Sequence, residues 1–207
     1  MSIQYDIADV LEEVGLSFTI EHMGVPVPDV VEYLTYTPNT QVTKPFVREH
    51  FLEVAFRSDT SVLSGDIITF VVSGDSYLVM NNTPDFFENE IIRYLAVLYK
   101  TNVLIDILRP QHTTVGYNTQ FDFVVVVSAQ KALIYAPLFG NIGRVDPDAG
   151  SYALDKEELY TPIAYDLREV DRVRITGTSE FYQVNTVILR RFPAVAVSGL
   201  REDTRGM

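Results

Sequence analysis

The stretch from Gly65 to Val79 constrains the fold more than any other part of the chain. Asp66 to Val72 and Ser76 to Met80 are runs of β-forming residues, and Ser73-Gly74-Asp75 between them is a glycine-containing turn of hairpin length. Successive side chains of a strand point to opposite faces. Ile68 and Phe70 therefore share one face and Ile67, Thr69 and Val71 the other, so both sides of the hairpin are largely apolar. Cover has to come from another layer of the same chain or from a neighbouring subunit.

The hairpin has an echo. Asp66, Ile68, Phe70, Tyr77 and Val79 match Asp171, Val173, Ile175, Tyr182 and Val184 at one constant offset, 171 minus 66, or 105. That offset is about half the chain and admits a duplicated unit. The turns differ, Ser73-Gly74-Asp75 against Thr178-Ser179-Glu180. In the second hairpin Arg172 and Arg174 take the side opposite Val173 and Ile175, so one face is expected to be wet and the other to be core.

The rest of the chain is also written mostly in strands. Ile3, Ile7, Val10, Leu11 and Val14 predict a short amphipathic helix, stopped by Gly15, and Leu16–His22 predicts a strand. Residues 25–45 carry Pro26, Pro28, Pro38 and Pro45 and read as an extended arm, with Val25, Val27, Tyr33 and Tyr36 as further candidate contact residues. Phe51–Phe56, Glu90–Tyr99 and Val103–Leu108 read as strands, the last stopped by Pro110. Phe121–Val127 is apolar on both faces and has to be buried by something. Residues 136–162 read as irregular, with a helical turn at Asp155–Leu159; strands resume at Arg172–Thr176, Phe181–Leu189 and Ala194–Val197, before a charged tail, Arg201–Met207.

The expected fold is mainly β: a barrel or sandwich with a short N-terminal helix and long loop or arm insertions. It divides into a helix plus barrel over 1–109, with the arm at 25–45, and a second β-rich part over 110–207 with an insertion at 136–162; one continuous domain is the other arrangement open. The 207 residues suit either.

Composition narrows the function. With no cysteine there is no disulfide framework, thiolate nucleophile or thiolate metal site, and an intracellular origin is the simplest reading. No signal-peptide pattern and no apolar run of membrane-spanning length is present, so a membrane is not an expected partner. The net charge of −12 is uneven: residues 1–100 hold 15 acids and 5 bases, residues 101–207 hold 13 and 11. Free nucleic acid is repelled by such a first half, which is either a solubilising surface or one along which DNA passes without sticking.

Catalytic signals are near misses. His22, His50 and His112 are dispersed, with no paired carboxylate or second metal ligand in sequence, and no phosphate-binding glycine loop occurs. Gly74-Asp75-Ser76-Tyr77-Leu78 is similar to the short motif of the Gly-Asp-Ser-Leu hydrolases, but Ser76 lies in mid-chain without a late Asp and His to activate it. Asp146-Pro147-Asp148 supplies too few oxygens for calcium. No enzyme, cofactor or metal is expected.

Ser64-Gly-Asp-Ile-Ile-Thr-Phe, Gly74-Asp-Ser-Tyr-Leu-Val and Ile91–Asn102, together with the opening helix and Leu16-Ser-Phe-Thr-Ile, resemble head-to-tail joining proteins of tailed bacteriophages, of the small β-barrel head-closure or stopper type. The resemblance is clearest over Phe51–Arg109; many such proteins are shorter, so the chain after Pro110 needs its own account. It implies a virion protein of the phage neck, made in the host cytoplasm. Such a protein forms a homo-oligomeric ring of six or twelve, binds the portal or adaptor ring and tail proteins, and lets double-stranded DNA pass without sequence-specific binding. In that setting Ile67, Thr69, Val71, Phe121, Phe123, Val125 and Val127 are candidate subunit-interface residues and the arm at 25–45 embraces a neighbour. Alternatives are a tail-completion, tail-tube or capsid-decoration protein and, more remotely, a β-sandwich ligand-binding or hydrolytic domain.

Overall fold

The computed structural model describes residues 3–22, 25–37, 51–115, 118–135, 157–178 and 180–205. Among the described residues it is mainly β, with one α-helix, α1 (Ile3–Val14), and twelve strands: β1 (Leu16–His22), β2 (Val25–Thr37), β3 (Phe51–Arg57), β4 (Ile67–Phe70), β5 (Ser76–Phe87), β6 (Glu90–Lys100), β7 (Val103–Val115), β8 (Asn118–Tyr135), β9 (Glu157–Pro162), β10 (Arg172–Ile175), β11 (Phe181–Phe192) and β12 (Val195–Glu202). They form two compact units. The first is Met1–Thr101 with Pro162–Ala164 and Phe192–Val195; the second is Asn102–Thr161 with Tyr165–Arg191 and Ala196–Met207.

Each unit holds a closed six-stranded barrel. The first closes in the order β1-β2-β3-β6-β5-β4 and the second in the order β10-β11-β12-β9-β8-β7. Renumbering β7–β12 as one to six turns the second order into the first, neighbour for neighbour, so the barrel is duplicated. Closure removes most strand edges, which otherwise invite pairing with foreign strands.

Period-2 alternation builds the first core. Phe18 and Ile20 of β1, Leu34 of β2, Val54 and Phe56 of β3, Ile68 and Phe70 of β4, Tyr77 and Val79 of β5, and Ala96 and Leu98 of β6 are buried together. The Phe18 and Phe56 rings lie 5.4 Å apart and those of Phe70 and Tyr77 4.9 Å. The helix, with Ala8 and Leu11 buried, packs over β2, β3 and β6. Gly15 ends it: its N–H reaches the Leu11 carbonyl at 2.9 Å, and a Cβ there would stand 2.2 Å from that oxygen. In the second barrel Ile105, Ile107, Val173, Ile175, Val184 and Leu200 fill the matching positions.

Several expectations are corrected. The arm is a strand as far as Thr37, because β2 finds partners on both sides, β1 through Leu16–Leu34 and β3 through Leu34–Phe56; Pro38 and the rest of the arm lie outside the described residues. Pro110 does not stop β7. It pairs with Phe123 of β8, while β10 reaches only to Leu108, so the edge carrying its missing N–H needs no donor. The division expected after Arg109 falls inside β7, and the units part at Thr101 instead. Glu157–Leu159 is strand rather than helical turn, paired through Leu159 with Ile134.

The first hairpin is covered on both faces by this chain where Ile67 and Leu78 are as buried as Ile68 and Tyr77, while Val71 and Val72, next to its turn, are exposed. The wet face expected of the second hairpin is not wet at Arg172. That residue is 5% exposed, and its charge is met by the Asp203 carboxylate, with Nε to Oδ2 at 2.5 Å. The charged tail accordingly belongs to the fold.

Candidate functional site

The same short motif shapes both barrels. In the first, the Asp66 carboxylate accepts the Leu63 N–H at 2.7 Å, the Asp66 carbonyl accepts the Val79 N–H, and the Gly65 N–H donates to the Val79 carbonyl across the hairpin. In the second, the Asp171 carboxylate accepts the Arg168 N–H at 2.9 Å and its backbone meets Val184. Every one of these pairs keeps the offset of 105. The residue before each aspartate has positive φ, 88° at Gly65 and 72° at Val170. A side chain at Gly65 would also meet the Ala194 carbonyl oxygen at 2.5 Å.

What each aspartate holds differs. Asp66 Oδ2 lies 2.8 Å from His22 Nδ1, at the end of β1. This corrects the expectation that the histidines have no carboxylate partner: sequence separation hid a pairing that β1–β4 registration makes, with Ile20 opposite Ile68. In the second barrel Ile107 faces Val173, and the residue two further on in β7 is Arg109. Its Nε and Nη2 reach the Asp171 carboxylate at 3.2 and 3.0 Å, and its Nη1 reaches Asp166 at 3.1 Å. An imidazole in one barrel thus stands where a guanidinium stands in the other. Burial pushes the Asp66 carboxyl above its usual range, more than the bonds from His22 and Leu63 lower it.

The second barrel carries two further ionic clusters. Asp106, buried in β7, accepts from Ala129 N–H (2.7 Å) and the Ser128 hydroxyl (3.1 Å), filling a bulge in β8 where Ala129 has φ of 50°; Arg174 binds its other oxygen. Asp203 lies between Arg172 and Arg205, and the Arg172 guanidinium sits 4.0 Å above the Phe123 ring. Burial raises the Asp203 carboxyl, and the bonds from Arg205 and Arg172 outweigh it, leaving it well below the usual range.

Ser76 has the Thr69 hydroxyl at 2.9 Å, and among the described residues no group of three His, Cys, Asp or Glu is placed to hold a metal ion. No helix there is long and apolar enough to cross a membrane. His50 and Asp146-Pro147-Asp148 lie outside the described residues, and His112 is described by its backbone alone. A groove of about 380 Å³ crosses the outside of the first barrel, lined by Thr35, Glu53, Asn81, Thr83, Arg93 and Leu95.

The distinctive surfaces are apolar. Among the described residues β10 meets β7 only over Ile105–Leu108, and β9 meets β8 only over Leu133–Tyr135. The outer part of the β7–β8 hairpin is therefore a two-stranded ribbon, and on it Val124, Val125 and Val126 are 42%, 45% and 42% exposed. Phe86 and Phe87 are exposed at the β5–β6 tip, and Ile188 and Leu189 on β11. Of the candidate interface residues, Ile67 is used up inside the chain, Thr69 and Val127 are half-buried, Phe123 lies under Arg172, and Val71 and Val125 face solvent. Phe121, Val25, Pro26, Val27 and Pro28 are described only as strand backbone; Tyr33 is half-buried and Tyr36 exposed in β2. The valine run is visible in the sequence, but the exposed Ile188 and Leu189 look there like core. Comparison with protein-family models, curated proteins and solved structures gives no match.

Proposed function

We propose that this chain is a structural protein of the neck of a tailed bacteriophage, of the head-closure type. In this reading six or twelve copies form a ring around the DNA channel and join the portal or adaptor ring to the tail. The observation that carries it is the solvent-facing run Val124–Val126 on a ribbon that has no third strand among the described residues. An apolar run on such a ribbon asks for a neighbour, and a ring covers such surface on every copy. The acid surplus of residues 1–100 supports a channel along which DNA slides, since it opposes phosphate binding. The opening helix and the closed first barrel support this reading, since both suit the small β-barrel type that the sequence resembles.

The test is electron microscopy of the purified protein, alone and with the portal complex of its phage. Rings of six or twelve at the portal are expected. Strict monomers under both conditions refute the proposal, and rings that stack into long tubes favour the tail-tube alternative.

A further inference from the structure

We infer that the exposed face of α1 in one copy seats against the outer end of β11 in the next, so that subunits join head to tail through an acidic-to-basic contact lined with aliphatic side chains. This rests on the ring reading above and names one contact between its copies, separate from the Val124–Val126 ribbon. Ala8 and Leu11 commit one side of α1 to the barrel. The other side presents Asp6, Asp9 and Glu13, all exposed, with Val10 and Val14 beside them at 54% and 68% exposure. Residues three and four apart share a helix face, so Asp6, Val10, Glu13 and Val14 form one strip. The helix has no basic residue, and Glu12 at the edge of the strip is 3.7 Å from Arg57 of the same chain.

The outer end of β11 has the opposite character. Ile188, Leu189, Arg190 and Arg191 are all exposed, and alternation puts Ile188 and Arg190 on the same face. Arg191 is held by Glu158 at 3.2 Å. β10 meets β11 at Phe181–Gln183, at the inner end of that strand. The two patches match in both respects that association uses, aliphatic surface against aliphatic surface and carboxylate against guanidinium. Like charge opposes pairing α1 with α1 or β11 with β11, so the contact is between different surfaces, the kind that closes into a ring.

A charge-swap cycle on the full chain tests this. Arg190→Glu and the double change Asp9→Lys with Glu13→Lys are made separately and together, and circular dichroism checks that each folds. Assembly is followed by light scattering and electron microscopy, alone and with the portal ring. Each reversal is expected to raise the concentration for half-assembly at least about tenfold, and the combined variant to return within about threefold of the parent. Salt is expected to weaken the parent ring and its effect to shrink in either reversal. If the parent forms rings and the reversals leave them unchanged, or the combination does not recover, the interface is wrong while the ring reading stands. If the parent stays monomeric in both settings, both fall.

Discussion

Replacing Asp66 and Asp171 by asparagine, one at a time, makes the same chemical change at two equivalent positions and is expected to give unequal results. The Asp171 carboxylate is 1% exposed and carries two bonds from Arg109 and one from the Arg168 N–H. A guanidinium keeps its charge throughout the pH range in which proteins fold, so the amide strands it. Removing one partner of a buried pair costs about 3–5 kcal/mol; Arg109 keeps Asp166 and some solvent, so about 2–3 kcal/mol is expected. At Asp66, burial already disfavours the charged form, and an amide keeps an acceptor for the Leu63 N–H. The expected change there is within about 1 kcal/mol at neutral pH. Urea unfolding gives the totals, and deuterium exchange by mass spectrometry assigns each loss to its barrel. Equal losses, or a larger one for Asp66→Asn, would refute the view that a guanidinium partner in one barrel and an imidazole partner in the other set these two sites apart.

Other expectations follow from the same comparison. Asp203 is held below its unfolded value, so its contribution is present above the ordinary carboxylate range and lost as pH falls through the folded value; Asp66 is raised, so its contribution is complete in acid and lost as pH rises. Acidification should therefore strip exchange protection from the second barrel first, and earlier loss in the first would contradict this. Val170→Gly, at an exposed β-branched residue with φ of 72°, should raise stability by about 1 kcal/mol, whereas Gly65→Ala should lower it by about 1–3 kcal/mol, both read by urea unfolding. Ser198 is fully buried with no hydrogen-bond partner for its hydroxyl among the described residues; Ser198→Ala should be neutral or stabilising by up to about 1 kcal/mol in the same assay.

The duplication was partly legible because β4 and β5 repeat in β10 and β11 without a gap, and every bond of the aspartate motif preserves the offset of 105. The partner strands do not keep it: Ile20 answers to Ile107 and His22 to Arg109, an offset of 87, so one constant shift cannot find them. The missing 18 residues fall between the first and fourth strands of each unit. Helix α1 and strand β1 were readable to the residue because each is an uninterrupted periodic run followed in the sequence by a glycine-containing stop, Gly15 and Met23-Gly24. Arg172 was misread for a physical reason: alternation predicts which way a side chain points, and only Asp203, 31 residues on, decides whether that side is wet.

The two barrels kept their topology and hairpin hydrogen bonds while their outer surfaces diverged. That divergence bears on assembly. A head-to-tail ring needs two different surfaces on each subunit, and a single small barrel must place both on one set of six strands. A chain with two barrels is freer: the first carries an acidic helix over β2, β3 and β6, and the second carries arginines and exposed aliphatics at the outer end of β11. Neither patch is part of the repeated core, so substitution at Asp9, Glu13 or Arg190 should leave folding intact while altering association. Loss of folding in Arg190→Glu would place that residue in the fold and remove it from the interface.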